Sequence, residues 1–216
     1  MNIVADATAF ATVADVVRGR TPVSPQDREL MDWIAKRYGV SVVAVLADRG
    51  RLPREPNRLR VAVWLETDAE AARFDSKGGN YDSKKQRVIG TRVLADLSED
   101  EPMPFVVPQS FAGEARSDIY LHFTPQDIER IKAELAHPLI RAVRIWTGAV
   151  VFLETDAQVA QFAESAERER WTDVIWRAIH KKDEFGAVPR EAFSIRVDSE
   201  QTFQEKFEGN RYYYFL

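Results

Sequence analysis

The apolar positions of the chain gather into short runs separated by turn chemistry. "VSVVAVLAD" (40–48), "LRVAVWLE" (59–66) and "PFVVP" (104–108) are rich in β-branched residues and predict strands. "LIRAVRIW" (139–146), "AVVFLE" (149–154) and "AFSIRVD" (192–198) have the same character. "DIYLHF" (118–123) alternates apolar and polar positions and is expected to be a strand as well. Helical spacing is clearest at Trp171, Val174, Ile175, Ala178 and Ile179. Val88, Ile89 and Val93 repeat it more weakly, with Gly90 inside the pattern. A helix is expected near the N-terminus, over roughly 6–18. Beyond 198, "SEQTFQEKFEGNRYYYFL" predicts a capped short helix and then a strand over 211–216.

One phrase is written twice. "LETDAEAARF" (65–74) returns as "LETDAQVAQF" (153–162), seven of ten residues identical and 88 positions on. "SPQD" (24–27) returns as "TPQD" (124–127), 100 positions on, so the offsets differ by 12. An extra polar loop in "LADRGRLPREPNRLRVAV" (46–63) accounts for the difference, because the second copy has only Thr147-Gly148 between its apolar runs. Loops accept such insertions at small entropic cost. Phe105 and Phe193 are again 88 apart.

Both echoes carry the chemistry of helix starts. Ser24 and Thr124 can accept bonds from unpaired N–H groups of a first turn, and Pro25 and Pro125 follow where no N–H is missed. Thr67 with Glu70, and Thr155 with Gln158, match the capping box T-x-x-E/Q. The repeated acids therefore mark where helices begin. The expected fold is α+β, a tandem duplication of a β-α-β-β-α-β (ferredoxin-like) unit. The first copy lacks a clear opening strand and has an added N-terminal helix, and the second carries a C-terminal helix-strand. The copies are expected at 1–107 and 118–216, with 108–117 as the linker.

Composition narrows the function classes. The 216 residues are 45% hydrophobic and 30% charged, as in a globular protein, with a net charge of −4 that gives no general pull toward nucleic acid or anionic lipid. The absence of cysteine excludes disulfides, thiolate zinc sites and a cysteine nucleophile. No apolar run reaches the roughly 20 residues of a membrane-spanning helix. The N-terminus contains Asp6 and Asp15 and lacks a basic start, so no secretory signal is read and a cytoplasmic location is expected.

Three groups of residues could carry chemistry. Glu66 and Asp68, echoed by Glu154 and Asp156, lie where strands end and helices begin, a place where paired carboxylates can divide acid and base roles. The loop "DSKGGNYDSKKQR" (75–87) brings Lys77, Gly78, Gly79, Lys84, Lys85 and Arg87 together before a helix start, a composition suited to an anion. Trp33, Trp176, Tyr212 and Tyr214 are the aromatic candidates for a protein interface. None of the three histidines, His122, His137 and His180, has metal-ligand or catalytic spacing, so no metal and no cofactor are expected. The leading expectation is a non-catalytic protein that recognises another protein, as an adaptor, inhibitor or toxin-neutralising immunity-like partner. The alternative is binding or turnover of a phosphorylated or anionic small molecule at 75–87, with Glu66 or Asp68 as acid or base.

Overall fold

A computed structural model describes residues 7–49, 55, 57–76, 79–95, 97, 101–210 and 213–214. The chain divides into two compact units, Met1–Glu114 and Ala115–Leu216. The first contains α1 (Ala7–Val17), α2 (Pro25–Tyr38), β1 (Val42–Asp48), β2 (Arg60–Leu65), α3 (Asp68–Ala72), α4 (Ser83–Leu94) and β3 (Phe105–Ser110). The boundary falls within α5 (Phe111–Leu121). The second contains α6 (Pro125–Leu135), β4 (Ala142–Ile145), β5 (Ala149–Leu153), α7 (Asp156–Phe162), α8 (Ala166–His180), β6 (Ile195–Ser199) and α9 (Glu200–Phe207). The fold is mixed α+β. Two three-stranded sheets run in the orders β1-β2-β3 and β4-β5-β6. In each, the first two strands are antiparallel and the last two parallel.

The helix starts follow from the caps in the sequence. Ser24 Oγ accepts from the Asp27 N–H at 3.0 Å, and Thr124 Oγ1 from the Asp127 N–H at 3.2 Å. Thr67 with Glu70 and Thr155 with Gln158 form the expected capping boxes at α3 and α7. Each box satisfies N–H groups that the first turn leaves without a partner, typically worth about 1 kcal/mol. Gly90 interrupts the apolar pattern of α4 for a packing reason, because a Cβ there would stand 2.7 Å from Met103 Sδ.

The central strand of each sheet is buried along its whole length. One face of β2, through Val61, Val63 and Leu65, packs with Ile34, Phe74 and Ile89. The matching face of β5, through Ala149, Val151 and Leu153, packs with Leu135, Trp171, Ile175 and Ile179. The opposite faces have different covers. Beside Trp64 lies Phe10 of α1, at 6.5 Å between ring centroids, and Phe10 in turn meets Phe111 at 5.7 Å. On the other sheet, Val150 and Phe152 pack with Phe203 of α9 and with Tyr214.

Several expectations change. The stretch 118–123 is no strand: it ends α5 and the turn after it. Ser110 Oγ accepts from the Gly113 N–H at 2.9 Å and starts a helix at the strand end, and the buried positions Ala115 and Ile119 then recur four apart. A helical stripe replaces the apparent alternation, and Leu121 is left 76% exposed. Among the described residues no opening strand occurs and each sheet has three strands, one fewer than β-α-β-β-α-β requires. The expected linker 108–117 is the end of β3 and the start of α5. Of 211–216 only Tyr213 and Tyr214 lie within the described residues, and they are helical, with the Tyr214 N–H donating to the Asn210 carbonyl at 3.2 Å. Phe105 opens β3, whereas Phe193 precedes β6 by two residues, so these two phenylalanines do not occupy matching positions.

Candidate functional site

In the second unit both candidate carboxylates are engaged in the frame. Ser199 ends β6, and its hydroxyl accepts from the Thr202 N–H at 2.8 Å to start α9. The same hydroxyl donates to Asp156 Oδ1, which also accepts from Thr202 Oγ1 at 2.8 Å. These bonds, that from Ser199 first, hold the Asp156 carboxyl below the usual carboxylate range. The Glu154 carboxylate pairs with Arg141, and its carbonyl accepts from the Gln201 N–H at 3.2 Å. In the first unit the Glu66 carbonyl likewise accepts from the Ala112 N–H at 3.1 Å. Asp68 Oδ1 and Ser110 Oγ lie 2.7 and 3.2 Å from the point where a Cβ on Gly113 would stand. Each aspartate thus faces the serine that ends its sheet and the first turn of the next helix. In that turn Thr202 supplies a hydroxyl, where Gly113 has no side chain.

The loop at 75–87 is tied down by its own backbone. Asp75 and Tyr81 form an isolated antiparallel bridge, and the Ser76 N–H donates to the Asn80 carbonyl at 2.6 Å. Gly79 has φ 78°, which favours glycine. Lys77 and Gly78 lie outside the described residues. At the α4 N-terminus, Asp82 Oδ1 accepts from the Lys84 and Lys85 N–H groups at 2.9 and 3.2 Å. The first-turn donors that would receive an anion are therefore occupied by a carboxylate of the chain itself. These backbone bonds, that from Lys85 first, lower the Asp82 pKa. Lys85 Nζ donates to the Arg73 carbonyl and stands 5.7 Å from the centre of the Phe74 ring. Lys84 and Arg87 are exposed.

The aromatic candidates separate by burial. Trp33 is half-buried, edge-on to Tyr38 with ring centroids 6.5 Å apart, and Arg37 lies 5.5 Å from its ring centre. Trp176 is half-buried, donates from Nε1 to the Val188 carbonyl at 2.9 Å and stacks on His180. Tyr214 is 5% exposed and belongs to a core of phenylalanines, its hydroxyl donating to Asp198 Oδ2 at 2.5 Å. Burial pushes that hydroxyl above its ordinary range. Tyr212 lies outside the described residues. The exposed tryptophan is Trp146, 58% accessible at the turn between β4 and β5. The signal for it was present in the sequence: Trp146 is the last residue before Thr147-Gly148, where an apolar run meets turn chemistry.

Two clefts do not gather these groups. One, of about 520 Å³, is lined by Glu55, Asn57, Arg58, Pro102 and Met103, with Arg58 bonded to Glu55 at 2.7 Å and to the Met103 carbonyl at 2.8 Å. The other, of about 430 Å³, lies between the start of α8 and Phe193–Ile195. Its Arg168 donates to the Ala163 and Ile195 carbonyls at 2.6 and 3.1 Å. Among the described residues no cluster of three or more metal-ligating side chains occurs, and no helix is long and apolar enough to cross a membrane. Compared with known proteins, the chain matches no family model, no curated protein and no solved structure.

Proposed function

We propose that the chain is a non-catalytic protein that recognises another protein, in the manner of an adaptor, an inhibitor or a toxin-neutralising partner, and that it works in the cytoplasm. The observation that carries this reading is the exposure of Trp146 at the tip of the β4–β5 hairpin. A large aromatic held in water by a short antiparallel turn suits an interface anchor, since tryptophan is enriched among the residues that dominate binding energy. The acids and lysines with chemical potential support the reading from the other side, because Asp82, Lys85, Glu154 and Asp156 are engaged in caps, pairs and strand ends. We further propose that the two units descend from one duplicated α+β unit. Their shared element order, sheet pattern and strand-end serines support that origin.

The test is affinity capture from the native cell with wild-type chain and with Trp146→Ala. Wild type is expected to retain a stoichiometric protein partner, and Trp146→Ala to weaken it by roughly 30-fold or more, the scale of an anchor residue. Failure to recover a stoichiometric partner, or equal retention by both chains, removes the reading.

A further inference from the structure

The chain has no cysteine and three methionines, Met1, Met31 and Met103, so thioethers are its only sulfurs and no thiol competes for an oxidant. Met1 lies outside the described residues. Met31 is half-buried in α2, whereas Met103 is 38% exposed just ahead of β3. Met103 also lines the cleft of about 520 Å³, where a small oxidant can reach its side chain. The same side chain seats a helix. α4 is tied to β3 by Gln86 Nε2, which donates to the Val106 carbonyl at 2.6 Å. One turn on, at Gly90, a Cβ would stand 2.7 Å from Met103 Sδ, so the sulfur lies against the bare backbone of α4. The Met103 backbone is fixed in turn, its carbonyl accepting from Arg58 Nε at 2.8 Å. Accessible sulfur and close helix packing coincide in one residue.

We propose that Met103 is a site of reversible oxidation by a peroxide, at which the sulfoxide loosens the seat of α4. A lone pair of Sδ attacks one peroxide oxygen and the O–O bond breaks. That oxygen stays on sulfur, and the other leaves as water, carrying off the proton of the first. Sulfur is oxidised by two electrons and the peroxide is reduced. The product is polar and bulkier where the side chain meets Gly90, so an apolar contact becomes an unfavourable one. Arg58 lines the same cleft and is a donor suited to the new oxygen, which draws the sulfoxide toward the cleft and away from the helix. A methionine sulfoxide reductase reverses the step with a dithiol, which ends as a disulfide while the oxygen leaves as water.

The full-length chain is treated with dilute hydrogen peroxide and followed by peptide mass spectrometry and by hydrogen exchange. Met103 is expected to gain its oxygen before Met31. The α4 amides are then expected to exchange roughly fivefold faster, while the α8 amides keep their rate. Reductase with dithiothreitol is expected to restore the α4 rate. Met103→Leu keeps an apolar side chain of similar volume that cannot be oxidised, so its α4 rate is expected to ignore peroxide. Met31→Leu is expected to respond as wild type does. Oxidation of Met31 first or at an equal rate overturns the proposal, as does an α4 rate that Met103 oxidation leaves unchanged. So does a peroxide response that survives in Met103→Leu, is lost in Met31→Leu, or fails to reverse with the reductase. Should Met103→Leu not fold, the wild-type α4 rates before oxidation, after it and after the reductase decide the matter.

Discussion

The two units share a sheet pattern and differ in what covers its second face. In the first, α1 brings Phe10, Val13 and Ala14 into the core beside Trp64, so the cover comes from ahead of the common elements. In the second, α9 and Tyr214 come from behind them. A half-buried sheet must be closed on both sides to remove its apolar area from water, but the closing piece can be local to either chain end. The polar contents of the two closures differ as well. The Trp64 indole Nε1 is buried and has no acceptor among the described residues, whereas the Tyr214 hydroxyl donates to Asp198.

The sharpest way to break this comparison is to substitute the equivalent central aromatics. Phe152→Ala empties a fully buried position and is expected to cost about 3–5 kcal/mol in urea unfolding. Trp64→Phe is expected to change stability by less than about 1 kcal/mol, because the lost ring area is offset by removal of a buried donor lacking an acceptor. Equal losses in the two variants would erase the distinction between the covers. A smaller effect separates the strand-end serines. Ser199→Ala is expected to cost about 1–2 kcal/mol and Ser110→Ala about 1 kcal/mol or less, since both cap a helix but Ser199 also donates to Asp156. A larger loss at Ser110 would reverse the assignment.

The smallest expected effect is a pH dependence in the second unit. The Thr124 backbone N–H, the Thr124 hydroxyl and Lys182 hold the Asp127 carboxyl at about 2, down from 3.8. A carboxyl depressed by folding contributes stability above its unfolded value, and that contribution is lost as pH falls through the folded value. Hydrogen exchange of the α6 amides should therefore quicken as pH is lowered from about 4 to about 2, after correction for the intrinsic exchange rate. In Asp127→Asn that corrected change should largely disappear; an unchanged slope would deny Asp127 its part.

What could be read from the sequence was local. Ser24, Thr67, Thr124 and Thr155 announce helices through contacts three residues away, and all four do cap them. The strands of the two hairpins were legible because β-branched runs met turn residues. Residues 118–123 were misread because six residues with a strand-like composition are decided by their surroundings. Ser110, eight residues upstream, starts the helix, and the core takes Ala115, Ile119 and Tyr120 as one stripe. The candidate site was less legible still. Nothing local tells that Tyr214 turns inward while Trp146 stays in water, because each outcome depends on whether distant elements arrive to cover the ring. The role of Asp156 depends on Ser199 and Thr202, 43 and 46 residues away.

Gln86, reaching across to the Val106 carbonyl, has a consequence for how far an assembly could grow. A fibre needs every added molecule to present a fresh border to the next. Pro108 has no N–H to offer and Gln86 already holds the Val106 carbonyl, so two of the backbone groups that such a border uses are taken on β3. Strand-on-strand growth of an amyloid-like ribbon from β3 is disfavoured by that loss.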